Sequence, residues 1–409
     1  MSPPVEAPIA TSTIAAPATS EKSGAAASAA PVSASRLVSL DIFRGMTIAG
    51  MILVNDPGTW SSIYWPLEHA EWHGWTPTDL IFPFFLFIVG VSMTMSFAAR
   101  CRRGDTRAAL ARHVVLRSLC ILAIGWFLHL FPRFHFGTMR YMGVLPRIAL
   151  CYLSAGLFVV AVARKADRED FRPNLFAVTS LMIVLLVGYW ALMTFVPVPG
   201  YGAGNLSPDG NLAAYLDRSI MLGHLWKPTW DPEGFLSSLP AIATVLSGVL
   251  LGEFLRSARS AQKKFLGMLA AGAAAMLLGR VLHPFFPINK NLWTSTFVIF
   301  TSGFAMVVLA LCYWAADIRG WRKWGMPFLV FGTNAIASFT LATFLAKCLI
   351  VIHVSSDGER TSLWGYMYEH LFEPLASPKT ASLLFALCFV AVCWVPMWLL
   401  YRRRIFIKV

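Results

Sequence analysis

The stretch Asp79–Arg103, DLIFPFFLFIVGVSMTMSFAARCRR, decides the architecture. Residues 80–99 carry no charge. As a helix rising about 1.5 Å per residue they would cross roughly 30 Å of hydrocarbon. Arg100, Arg102 and Arg103 then close the run. The same design, a long apolar block ended by a polar cluster, recurs along the chain. We read ten spans, at 38–54, 79–99, 113–131, 143–163, 174–196, 235–255, 265–282, 292–315, 326–352 and 379–401. A membrane β-barrel would instead show alternating strands of about ten residues. The expected fold is therefore all-α, a polytopic transmembrane helix bundle.

Composition agrees. Of 409 residues 57% are hydrophobic and 13% charged, where an ordinary soluble domain carries about 25% charged residues. The net charge of +13 would suggest nucleic acid in a soluble protein. Here the cations sit in the loops after even-numbered spans: Arg100–Arg112, Arg164–Arg172, Arg256–Lys264, Arg319–Lys323 and Arg402–Lys408. Segments 132–142, 197–234 and 283–291 hold only two, two and one Lys or Arg. The positive-inside rule then places both termini in the cytoplasm and leaves no role for nucleic acid. Residues 1–35, with 11 Ala, 7 Ser and 5 Pro, are expected to be a disordered cytoplasmic tail rather than a secretory signal. The transmembrane domain is expected over 36–409. None of the seven cysteines falls in a long outer loop, so no disulfide framework is implied.

Polar residues near a span are costly and mark functional candidates. They gather on the side opposite the basic loops: Asn55, Asp56, His69, Trp72, His73, Asp79, Arg140, Arg147, Asp231, Glu233, Asn289, Lys290 and Asn334. The segment 55–79 is the most unusual, with four Trp and two His between two spans. Most of these Trp suit the aromatic belt. His69 can serve as general base, nucleophile or metal ligand. His69 and His73, four apart with Glu68 and Glu71 beside them, would share a helix face as a zinc site requires. That reading needs a third ligand and a continuous helix before Pro77, so no metal is expected. Asp79 and Arg147 either face a polar cavity or form an ion pair that holds the bundle. Asp41 and Arg44, three apart, can pair on one helix face. Asp231 and Glu233 can begin a helix, and Asn334 can join two helices.

At these residues the chain resembles the heparan-α-glucosaminide N-acetyltransferase family of multispanning acyltransferases. The matching stretches, in order, are SLDIFRGMTIAGMILVN (39–55), HAEWHGWTPTDLIFPFFLFIVGVSM (69–93), GVLPRIALCYL (143–153), WDPEGF (230–235), PINKNLWT (287–294) and GTNAIASF (332–339). The resemblance implies transfer of an acetyl group from cytosolic acetyl-CoA to the amino group of a glucosamine-type acceptor across the membrane. It implies His69 as the active-site histidine and matches the family's asparagine to Asn55, its acids to Asp79 and Glu233 and its arginine to Arg147. We take Asn55 as catalytic beside His69, because its amide could donate to an oxyanion or fix the imidazole, and Asp79, Arg147 and Glu233, with Asn289, Lys290 and Asn334 of the same polar face, as substrate-binding. No large extracytoplasmic domain is expected ahead of the first span, and the stretch from Asn55 to His69 is longer than in the animal enzyme. The expected setting is a bacterial inner membrane, with lipid, an aminosugar or glycan acceptor, and a second copy as homodimer for partners. The sequence has no glycine-rich phosphate loop, so the residues that bind the CoA phosphates stay unassigned. A second functional class fits the same bundle, an aminosugar transporter without acyl-transfer chemistry.

Overall fold

The computed structural model describes residues 37–168, 170–356 and 359–407. The expected tail of residues 1–35, and Lys408 of the last basic cluster, lie outside the described residues. Long, mainly apolar runs form the helices α1 (Val38–Asn55), α2 (Ile81–Arg102), α3 (Arg107–Leu130), α4 (Val144–Ala161) and α5 (Leu175–Phe195). The short amphipathic α6 (Leu212–Ile220) precedes α7 (Ser238–Arg256), α8 (Ala261–Leu282) and α9 (Ser295–Tyr313). The chain continues through α10 (Met326–Thr333), α11 (Ala335–Val351), the single turn α12 (Leu363–Met367) and α13 (Pro378–Arg402). Side chains at the boundary accept backbone N–H groups to start several of them: Thr106 before α3, Asn174 before α5, Ser260 before α8 and Thr294 before α9. The start of α1 is capped from a distance, Val38 N and Ser39 N both donating to Asp317 at 3.2 Å.

Among the described residues nine helices are long and apolar enough to cross a membrane, or ten if one bent pair counts as a span. That pair corrects the reading of 326–352 as one continuous helix. Residues 323–333 and 335–351 meet at 75°. The hinge is Asn334, which leaves helical geometry (φ −128°, ψ 44°). Its amide donates to Ile405 O at 3.1 Å and accepts from Ile407 N at 2.7 Å. Two short hairpins, Ala163–Ala166 with Phe171–Pro173 and His353–Ser356 with Glu359–Ser362, and an isolated bridge between Val198 and Gly202 are the β-structure among the described residues.

α7 is the most buried span and α5 and α8 are among the least. α2 reaches α7 closely because glycines face the neighbouring backbone: a Cβ on Gly90 would lie 1.9 Å from Val245 O, and one on Gly248 2.1 Å from Phe87 O. The bundle has two distinct ends. At one, the loops interlock: Trp72 Nε1 donates to Leu206 O and Gly74 N to Ile288 O, each at 2.8 Å, and Tyr141 N to His224 O at 3.2 Å. At the other, Arg107 donates to Ala163 O, and Arg256 binds Asp170 and Glu253. Asp41 and Arg44 pair at 2.9 Å near this basic end, where Arg44 also reaches Ser92 Oγ at 2.6 Å and Gly332 O at 3.2 Å.

Candidate functional site

The segment 68–76 is irregular rather than helical. His69 and His73 therefore do not present one helix face, and among the described residues no three His, Cys, Asp or Glu side chains gather as a metal site would require. A 3-10 turn, Pro77–Leu80, leads directly into α2. It opens with a capping box in which Thr76 N donates to Asp79 Oδ2 at 3.0 Å. Asp79 is thereby fixed at the mouth of the helix. Its Oδ2 also accepts from Ala70 N at 3.0 Å and from Thr76 Oγ1 at 3.2 Å, and its Oδ1 lies 2.7 Å from His69 Nδ1.

This geometry divides the labour between two side chains. Asp79 is 1% exposed and its oxygens are occupied by the protein, whereas the His69 side chain is 44% exposed. With Nδ1–H given to the carboxylate, Nε2 is the ring nitrogen that carries the lone pair, and it can act as base or nucleophile where substrate displaces its 3.1 Å contact with Lys290 Nζ. Asp79 is thus an orienting group behind the imidazole. The pairing of Asp79 with Arg147 that the sequence left open is not formed. Its cationic neighbour is Lys290, whose Nζ is 3.8 Å from Asp79 Oδ1 and 3.1 Å from each ring nitrogen of His69. Burial lowers the Lys290 pKa, an effect opposed by the charges of Asp79 and Glu233.

Lys290 is delivered by the loop before α9. Asn289 shapes that loop, accepting from Leu292 N at 2.8 Å while its amide nitrogen sits 3.3 Å from His73 Nδ1. Burial, and next the charge of His283, lowers the His73 pKa. Trp293 is fully buried, edge-on to Phe82 with ring centroids 5.1 Å apart and under the Arg147 guanidinium at 5.1 Å. Arg147 is fully buried and makes no ion pair among the described residues; its Nη2 donates to Gly234 O at 3.0 Å and to Ser237 Oγ.

The acids of WDPEGF are held by a different arginine. Arg140 Nε donates to Asp231 Oδ2 at 2.8 Å, and its Nη2 reaches both Asp231 and Glu233. Asp231 also accepts from Trp226 N at 2.9 Å and Glu233 N at 2.8 Å. Arg140 outweighs the burial of Asp231 and keeps that carboxyl below its usual range. Beside Arg140 opens a cavity of about 410 Å³, lined among others by Arg133, His135, Trp226 and Lys347. Pockets of this size hold small ligands. Glu68 and Glu71, flanking His69, remain exposed.

The structure thus brings His69, Asp79 and Lys290 into contact, with Asn289 supporting the loop and Arg147 and Glu233 nearby. Asn55 ends α1, exposed, and makes no side-chain hydrogen bond among the described residues. Asn334 does not join the group. It follows Gly332, which packs on Asp41 of α1, about 20 Å along that helix from Asn55 at 1.5 Å per residue.

Asp217 of α6 was missed by the sequence reading, since one acid on an amphipathic helix gives no signal. It is 1% exposed, accepts from Phe235 N at 2.7 Å and touches the Gly234 position so closely that a Cβ there would sit 1.7 Å from its Oδ2. Burial pushes its carboxyl up to about 7. Because this acid holds its proton more tightly folded than unfolded, stability should fall as pH rises from about 4 to about 7. Asp217→Asn keeps the acceptor and has no charge to bury, so it should flatten that part of the pH profile of melting temperature. An unchanged slope would exclude Asp217 as its source.

Comparison with known proteins fits this arrangement. The family model described as heparan-alpha-glucosaminide N-acetyltransferase, catalytic, matches residues 36–289. That range includes Asn55, His69, Asp79, Arg147, Glu233 and Asn289 and stops one residue before Lys290. The chain is 32% identical over 349 residues to the heparan-alpha-glucosaminide N-acetyltransferase of Homo sapiens, covering 74% of this chain and 52% of that protein. It is 32% identical over 357 residues to that of Mus musculus, covering 74% of this chain and 53% of that protein. It spans about half the length of these curated relatives. A match over most of the chain that takes in the histidine, its carboxylate and the loop beneath them places this protein in the heparan-alpha-glucosaminide N-acetyltransferase family.

Proposed function

We propose that the chain is a transmembrane acetyltransferase that moves the acetyl group of cytosolic acetyl-CoA to the amino group of a glucosamine-type sugar on the periplasmic side of a bacterial inner membrane. The observation that carries this reading is the exposed His69 imidazole backed by the buried Asp79 carboxylate at 2.7 Å. In direct transfer the acceptor nitrogen attacks the thioester carbonyl and gives its proton to His69 Nε2. The C–S bond then breaks and the CoA sulfur takes the proton back. In the two-step version Nε2 attacks the thioester, the C–S bond breaks and CoA leaves as thiolate; the amine then takes the acetyl group from Nε2, and the proton it loses ends on the CoA sulfur. Both routes generate an oxyanion, and Lys290 is the cation within reach of the ring to meet it. Glu68 and Glu71 are the exposed acids beside His69, suited to drawing in a cationic amine, while Asp231 and Glu233 are engaged by Arg140. The basic loops are assigned to the cytoplasm, where residues 1–35 would form a tail.

One experiment tests donor, acceptor and sidedness together. Labelled acetyl-CoA is given to the basic-loop side of sealed vesicles, with a panel of aminosugars and amine-free sugars on the other. Labelled N-acetyl product from glucosamine-type acceptors is expected. Label appearing only on amine-free sugars, or on no acceptor at all, would exclude the proposal.

The position of Asp79 predicts how its loss should look. In Asp79→Asn the amide no longer fixes the proton on Nδ1, so kcat should fall about 10–100-fold, as when an orienting partner is removed. The acceptor KM should change little, because Asp79 faces the histidine and not the solvent. A variant that raised the acceptor KM with kcat intact would instead place Asp79 against the substrate.

A further inference from the structure

α3 forms part of the outer wall, with Val115, Leu116 and Leu119 exposed. Arg117 lies among them, ten residues after the start of the helix at Arg107, hence about 15 Å in from the basic end. Its guanidinium sits 5.1 Å above the ring of Tyr152 on α4. Arg117 forms no ion pair among the described residues and its buried Nε has no hydrogen-bond partner, while the rest of its guanidinium is directed at the Tyr152 hydroxyl. Tyr152 is 3% exposed, and its buried hydroxyl, approached by the Arg117 guanidinium, has no acceptor for its own proton among the described residues. A guanidinium only donates, so its approach leaves the phenolic proton without an acceptor.

The surroundings are cationic. Arg100, at the end of α2, exerts its charge on both His113 and Tyr152, as does Arg117. The acid matched to this group is Asp105, 2.8 Å from Arg100 Nε. A charge within a span is costly without a counter-charge, and buried polar atoms in native proteins nearly always have partners. An anion with several acceptor oxygens would satisfy both needs at once. Arginine and tyrosine donors converging from different helices match a phosphate group.

We propose that Arg117, Arg100 and Tyr152 form a binding site for a phosphate-bearing anion between α2, α3 and α4, toward the basic end of the bundle. Two sources carry that chemistry: the nucleotide phosphates of the acyl donor, which rests on the acetyltransferase reading, and the headgroup of a phospholipid reaching in from the exposed face of α3, which does not.

The test uses the full chain in dodecyl maltoside, comparing wild type with Arg117→Gln and Tyr152→Phe. Two ligand pairs are measured: acetyl-CoA against phosphate-free acetyl-pantetheine, and phosphatidylglycerol against a phosphate-free glycolipid. If the donor occupies the site, Arg117→Gln weakens acetyl-CoA binding about tenfold or more and leaves acetyl-pantetheine unchanged. If a lipid occupies it, the variant loses retained phosphatidylglycerol and the rise in melting temperature that this lipid gives, with acetyl-CoA unaffected. Either result supports the site. Tyr152→Phe removes a donor without changing charge, should shift the same ligand in the same direction, and decides the matter should Arg117→Gln fail to insert. Variants that fold and bind both phosphate ligands as wild type does would overturn it. Failure of the wild type to bind acetyl-CoA counts against the acetyltransferase reading and leaves the lipid measurement standing.

Discussion

His69→Ala should lower kcat by about 10²–10⁴-fold, the range that a positioned acid–base group contributes, and should leave the protein folded. The side chain is 44% exposed, so little packing is lost. Asp79 keeps its bonds from Ala70 N and Thr76 N and its ionic neighbour Lys290 after the change, so no buried charge is stranded. Acetyl-CoA binding should survive, because nothing in the donor's phosphate end depends on the imidazole. Initial rates and donor binding on the purified variant check this. Near-normal turnover would remove His69 from the reaction. His73→Ala is the control: His73 contacts Asn289, not Asp79, so its loss should lower kcat far less than the loss of His69.

Arg140→Ala should be the most destabilising single change at the site end. Arg140 neutralises two carboxylates at once, on Asp231 and Glu233, whose side chains are almost completely buried. Removing one partner of a buried ion pair costs about 3–5 kcal/mol, because the charge left behind has no water to solvate it. Lysine would restore a point charge but not the fork that holds both acids, so Arg140→Lys should fall between wild type and alanine. Melting temperature in detergent measures this directly. Restoration of stability in Arg140→Ala by adding Asp231→Asn and Glu233→Gln would confirm stranded charge as the cause. A melting temperature in Arg140→Ala equal to wild type would mean that the acids are free, and would return Glu233 to the list of acceptor ligands.

The sequence by itself determined the long helices apart from the break at Asn334, their alternation between a basic and a polar end, and the concentration of polar and aromatic groups between 55 and 79. These are local properties. An uncharged run such as 80–99 needs no partner to announce a span, and the arginines that follow it mark a side whatever the neighbouring helices do. The Asp41–Arg44 pair was legible for the same reason, three residues apart on one helix. Pairings between distant segments were not legible. Asp79 could have met Arg147, and instead meets His69 because the 3-10 turn at Pro77–Leu80 turns its carboxylate toward the irregular loop before it. Lys290 reaches the histidine across 221 residues of chain, and Arg140 reaches Asp231 across 91. Asn334 had the composition of a site residue, yet the C-terminal Ile405 and Ile407 occupy its amide. Each of these outcomes depends on how far one helix is shifted against another. A displacement of one turn, about 5.4 Å, exceeds the reach of a hydrogen bond, so only the packed bundle could choose which acid faces which base.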